Sequence, residues 1–120
     1  MREVKIGTQE YTKVVCDDEP GRGGACHQYH IEMASDPGKP TVVVANVSFQ
    51  NGPVKEFDVN GCHHEDLLAI VLDRLQSFQS GEYKCRENAL AITKIEEAMH
   101  WLNHRTAARL ARGVEGTHEI

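Results

Sequence analysis

No run in this 120-residue chain approaches the roughly 20 apolar residues that a membrane-spanning helix needs. The opening MREVKIGTQE is charged and has no apolar core, so a secretory leader is not expected and the cytoplasm is. Basic charge is also scarce: 13 Lys and Arg stand against 18 Asp and Glu, giving a net charge of −5. That balance denies the chain the extended basic footprint that a nucleic-acid polymer requires, although one local cluster of arginines is enough for a small anionic ligand. The signatures of catalysis are missing too. There is no nucleophile elbow, no phosphate-cradling Gly-Lys-Ser/Thr loop and no His-Glu-x-x-His. GRGG at 21–24 lies between strand-like runs and does not open a helix. His63 and His64, at a helix start, are the histidines best placed for acid–base work, but the seven histidines are scattered along the chain. No catalytic residue and no cofactor are called for.

The four cysteines, Cys16, Cys26, Cys62 and Cys85, match no disulfide framework by their spacing. CHQYH and CHH gather Cys26, His27, His30, Cys62, His63 and His64 into two short clusters. A structural zinc site has ligand pairs roughly two to four residues apart in both halves, and these pairs are irregular. The expectation is therefore small buried thiols, polar histidines and no metal.

What is present is an ordinary globular composition, 40% hydrophobic and 26% charged, that divides into two halves of different period. Between residues 12 and 60 the pattern is that of strands. TKVVC is short and β-branched. CHQYHIEMA alternates Cys26, Gln28, His30 and Glu32 against His27, Tyr29, Ile31 and Met33. TVVVANVSF is the strongest strand signal, and QNGP supplies a turn through Asn51-Gly52. VKEFDV alternates again and predicts an antiparallel return, while residues 17–25, DDEPGRGGA, predict a mobile connection.

From Gly61 the period becomes helical. Leu67, Leu68, Val71, Leu75 and Phe78 recur at helical spacing behind Glu65 and Asp66. SGE breaks the chain, and a longer helix runs from about Tyr83 or Lys84 to Arg112, with Gly113 placed to end it. The fold class is α+β: an antiparallel meander of three or four strands, then an antiparallel two-helix hairpin. A single domain is expected, with a β segment over about 1–60, the hairpin over about 61–113 and a tail over 114–120.

The long helix carries more apolar surface than one neighbour can cover. Ala91, Ile92, Ile95, Ala98, Met99 and Leu102 form one stripe; Leu90, Trp101 and Ala108 form another about 100° away. An exposed Trp-Leu patch on a chain this small predicts oligomerisation through the hairpin.

The same helix ends in an unusual charge pattern. From Ala98 to Val114 there is no acid, yet Arg105, Arg109 and Arg112 follow one another at helical spacing. Basic residues are favoured at a helix C-terminus by the macrodipole, which is sufficient reason for them to be there. The alternative is a phosphate clamp, because the guanidinium fork matches phosphate oxygens bidentately.

The run from Phe49 to Ile120 resembles the phage-encoded Thoeris anti-defence family, the first sponge family of that name. Its helical hairpin is shared with phage anti-CBASS cyclic-nucleotide sponges. The resemblance covers about residues 40–120 and is most specific at CRENALAITKIEEAMHWLNHRT and RGVEGTH. It implies a non-enzymatic protein in the host bacterial cytoplasm that sequesters cyclic ADP-ribose isomers with a ribose–ribose linkage. Some members also hold cyclic di- and trinucleotides at separate sites. It further implies a homo-oligomer, either a dimer or a hexamer built as a trimer of dimers. By motif, the adenine-stacking aromatic falls on Phe78, the asparagine early in the second helix on Asn88, and the diphosphate-holding arginines on Arg105 and Arg109. Arg112 and Thr117 lie in the neighbouring family-like tail as further candidates. A small phosphodiesterase acting on the same signals is the competing reading.

Overall fold

A computed structural model of the chain describes residues 1–7 and 10–120, which divide into two compact units. The first unit, 1–52 with 59–62, is a four-stranded antiparallel meander of β1 (Arg2–Val4), β2 (Thr12–Cys16), β3 (Gln28–Met33) and β4 (Val43–Ser48), in that order. The second unit, 53–58 with 63–120, holds α1 (Val54–Phe57), α2 (His64–Gln79) and α3 (Arg86–Arg112). The fold is α+β, as the sequence predicts.

Two strand assignments change. VKEFDV is not a returning strand: Val54–Phe57 is one helical turn, in which the Glu56 and Phe57 amides donate to the Pro53 carbonyl. Proline fixes the entry to a helix and leaves no amide unpaired, which outweighs the alternation of the next four residues. The turn closes at Asp58, whose φ of 56° no strand adopts. The fourth strand is instead Arg2–Val4, too short and too charged to stand out by pattern. The Asp17–Ala25 connection is also more organised than its composition predicts. Asp18 accepts from the His27 and Gln28 amides at 3.1 Å, and Gly21 and Ala25 close a backbone turn.

The alternation of β3 is real, but its more buried face is the polar one. His30 and Glu32 are only 9% and 8% exposed, while Tyr29 and Ile31 on the other face are half-buried. Register explains it. Glu32 lies opposite Lys13 and His30 opposite Val15, so charges of both signs meet on one face. The His30 ring is held at both nitrogens, by Asp17 at 2.7 Å on Nδ1 and by Glu32 at 2.9 Å on Nε2. Both must therefore donate, which requires the imidazolium. Lys13 completes the group at 3.0 Å from Glu32, leaving two cations and two anions with no uncompensated charge.

This arrangement has a pH signature. Hydrogen bonds donated to Asp17 and then to Glu32 hold the His30 pKa above its ordinary 6.5, so its contribution is complete below that value and fades as pH rises through the raised one. His30 and Lys13 hold Glu32 below its ordinary 4.5, so its contribution is present above that value and fades as pH falls through the lowered one. Chemical denaturation of wild type and His30→Gln across pH should show the largest stability gap between about 4.5 and 6.5. A gap independent of pH would contradict the imidazolium assignment.

The helical unit has a different character. Among its described residues no apolar side chain of α2 or α3 is fully buried; the one buried residue is Arg109. Packing of α2 on α3 half-buries Ala91, Ile92, Ile95, Met99 and Leu102, which is the first stripe without Ala98. On the second stripe Leu90 is 47% and Trp101 60% exposed, and Leu110 beyond it 63%. Two helices joined by a short connection cannot sequester three such side chains by themselves.

Candidate functional site

The hairpin separates the candidate residues into two groups. Phe78, near the end of α2, and Asn88, in the first turn of α3, share the turn end. Arg105, Arg109, Arg112 and Thr117 share the opposite end. Asn88 and Arg105 are 17 positions apart, so about 25 Å separates them along the α3 axis. The structure therefore brings together two subsets and not the whole set.

The turn end is built by capping. Cys85 is the residue before α3, and its sulfur accepts the Asn88 amide at 3.4 Å while its own amide donates to Gln79 Oε1 at 2.8 Å. These contacts fix Asn88 one turn into the helix, half-buried. Phe78 remains 39% exposed. Tyr83 meets its ring edge-on at 6.4 Å, and the Arg74 guanidinium lies 5.5 Å from its centroid. Arg74 and Tyr83 were not singled out from the sequence. The legible signal for Arg74 was its position four residues before Phe78, which places both on one face of α2.

The basic end is more elaborate than three arginines on a helix. Gly113, at φ 73°, ends α3 and turns the tail back across it. Arg109, 8% exposed, then spends its guanidinium on that tail. Nε donates to Glu115 at 3.0 Å, Nη1 to the Glu119 carbonyl at 2.6 Å, and Nη2 to the Val114 and Thr117 carbonyls at 2.9 and 3.2 Å. Arg112 donates to the Ile120 carbonyl at 3.0 Å. Thr117 turns its hydroxyl to the Val114 carbonyl and shapes the same loop. So the absence of acid along the helix does not leave Arg109 unpaired: Glu115, immediately past the acid-free run, supplies the carboxylate. Arg105, by contrast, is exposed. Beside this end lies a cavity of about 350 Å³ lined by Val54, Lys55, Leu110, Gly113, Glu115 and Gly116. The tail also pins α1 there, through the Lys55 amide donating to the Gly116 carbonyl at 3.1 Å.

The Cys/His clusters of the sequence do not assemble as their spacing suggests. His30 is engaged by Asp17 and Glu32, and the Cys62 amide and carbonyl pair with Ser48 and Gln50. Cys16, Asp18 and Cys26 converge instead. The Cys16 thiol and burial both push the Cys26 thiol up, and the Gln28 and His27 amides hold Asp18 low.

The family described as "Acb2/Tad1, hairpin domain" matches residues 42–107. A protein named "Thoeris anti-defense 1" from Bacillus phage SBSphiJ7 is 54% identical over 99 residues, covering 82% of this chain and 66% of the phage protein. This chain thus spans a little under two thirds of that relative's length. Among the described residues no helix is long and apolar enough to cross a membrane.

Proposed function

Since the chain belongs to the Acb2/Tad1 hairpin-domain family, we propose that it is a phage anti-defence protein that binds and sequesters cyclic ADP-ribose-type immune signals without cleaving them. The observation that carries this reading is the layout of α3. Its apolar second stripe is exposed, and Asn88 and Arg105 stand at opposite ends of it. Antiparallel pairing of two α3 helices covers the stripes and brings Asn88 of one protomer to Arg105 of the other. Each dimer then has two pockets, with Phe78 stacking on the adenine and the arginines holding the diphosphate. Such a ring is compact, so no ligand of that size reaches both groups within one subunit.

Arg109 enters the pocket by exchange. The ligand's diphosphate replaces the Glu115 carboxylate, one anionic acceptor for another, and the cost of the exchange is small compared with stripping a buried guanidinium bare. Capture that starves a cellular sensor calls for nanomolar affinity, about −12 kcal/mol. Two guanidinium contacts and one stack fall short of that alone. A pocket closed by two subunits supplies the difference by excluding water and fixing its groups beforehand.

The test is recovery of the ligand. The protein is incubated with a ribose–ribose-linked cyclic ADP-ribose isomer and then denatured, and the supernatant is chromatographed. Sequestration returns the ligand intact and in full. Linearised product would instead identify a phosphodiesterase. A melting temperature unmoved by these isomers would point to a module that binds another protein. Running cyclic di- and trinucleotides alongside shows whether the same chain also takes those signals.

A further inference from the structure

The sheet unit holds a group of side chains that the hairpin chemistry does not use. Cys16 ends β2 and Cys26 stands two residues before β3, and both are buried, at 1% and 6% exposure. Their sulfurs converge on a single carbonyl, that of Asp18, at 3.4 and 3.3 Å. The Asp18 carboxylate turns to the same place, with Oδ1 4.0 Å from Cys16 Sγ. One donor atom from each of the three residues lies within 4.8 Å of the other two.

We propose that Cys16, Cys26 and Asp18 form a binding site for a thiophilic divalent cation, zinc by the chemistry of its donors, which ties the end of β2 to the start of β3. Two sulfurs and one oxygen select zinc over the harder calcium and magnesium, which take oxygen ligands. Zinc–sulfur bonds of about 2.3 Å and zinc–oxygen bonds of about 2.0–2.2 Å require the three donors to close by up to about 1 Å. The carboxylate is already oriented for this by the His27 and Gln28 amides at 3.1 Å, the kind of outer support that metal-binding carboxylates have. Charge also closes. Two thiolates and a carboxylate outweigh a divalent cation by one, and Arg2, paired with Cys16 in the β1–β2 register, supplies the balancing positive charge. His27 stands beside the cluster, with Nδ1 3.6 Å from Asp18 Oδ2, and the fourth position of the zinc falls to a solvent water. Gly21 leaves room for that imidazole: a Cβ there would come within 2.5 Å of His27 Cε1.

The need for such a tie is visible in the packing. Among the described residues the buried apolar side chains are Val15, Cys16 and Cys26, so the two cysteines are most of the core. A unit this small with so little buried apolar surface is the kind that a structural metal supports.

The experiment uses the full chain with Cys62→Ser and Cys85→Ser, stripped of metal and kept reduced. Cobalt(II) is titrated as the probe, followed by its thiolate charge-transfer absorption, and zinc is then added to displace it. The expected result is one equivalent of cobalt, full displacement by zinc, and a higher melting temperature with zinc bound. Cys26→Ser should abolish the band and Asp18→Asn should weaken binding at least tenfold, with circular dichroism verifying that each variant is folded. No band in the reduced parent chain, or a band that survives Cys26→Ser, overturns the proposal. Because Asp18→Asn leaves both thiols in the core, it decides the matter even where a cysteine variant does not fold. None of these readouts depends on nucleotide binding.

Discussion

Arg109→Ala is expected to weaken binding of a ribose–ribose-linked cyclic ADP-ribose isomer at least tenfold and, unlike its neighbour, to destabilise the protein. The two effects have one source. Arg109 is the buried residue of α3, and its donors run to Glu115 and to the Val114, Thr117 and Glu119 carbonyls. Truncation releases the tail and leaves those carbonyls to water. Hydrogen bonds to a charged group contribute about 1.5–3 kcal/mol each when isolated, but here they share one side chain, and the part-exposed Glu115 is screened. A loss of about 2–4 kcal/mol follows, or on the order of 10 °C in melting temperature for a chain of this size. Arg105→Ala should lose comparable affinity with the melting temperature of the free protein unchanged, because Arg105 is exposed. Calorimetric titration and thermal unfolding of both variants check the pair. If Arg109→Ala destabilises the fold while affinity holds, the residue is a tail anchor and Arg105 carries the phosphate alone.

Trp101→Asp is expected to raise the oligomer's dissociation constant at least a hundredfold and to remove ligand binding with it. Trp101 stands 60% exposed, its ring braced edge-on by His100 at 5.4 Å and His104 at 5.8 Å. A tryptophan buries about 150–250 Å² in full. Covering the exposed share gives about 2–4 kcal/mol at 25 cal/mol per Å², before the cost of placing a carboxylate in the same interface. Tryptophan is also the residue most often found at the centre of an interface. Light scattering over a concentration series measures the change. An unchanged oligomer, or a monomer that still binds ligand tightly, contradicts an interface along this stripe.

The hairpin was legible because its signals are local and agree. Leu67, Leu68 and Leu75 keep helical period, Glu65 and Asp66 favour the first turn, and Gly113 marks the end that the structure places after Arg112. The sheet half was legible where β-branched residues cluster and opaque where one residue decides. Pro53 converts an alternating Val54–Phe57 into a helical turn, and Asp58 at positive φ closes it. Alternation in β3 separated the faces correctly. It gave no sign that the His30 and Glu32 face would be the more buried, because that depends on Lys13 and Asp17 arriving from β2 and the residue after it. The arginine cluster shows the same limit. Its residues were visible, whereas the partners of Arg109 are mostly backbone carbonyls of a tail that turns back, and a carbonyl carries no sequence signal. Likewise, the convergence of Cys16, Asp18 and Cys26 is made by a loop and not by spacing.

Mixed dimers test most directly whether each pocket takes Asn88 from one protomer and Arg105 from its partner. Asn88→Ala and Arg105→Ala chains are co-expressed with different affinity tags, the heterodimer is isolated through both tags, and ligand binding is measured by calorimetry. Each variant alone should bind weakly at both pockets. In the heterodimer the intact Asn88 of one chain meets the intact Arg105 of the other, so one pocket is whole and one lacks both groups. Cross-subunit sharing of the pocket predicts wild-type affinity at one ligand per heterodimer. Binding as weak as in the two parent variants would place both residues of a pocket in one chain, and would contradict it.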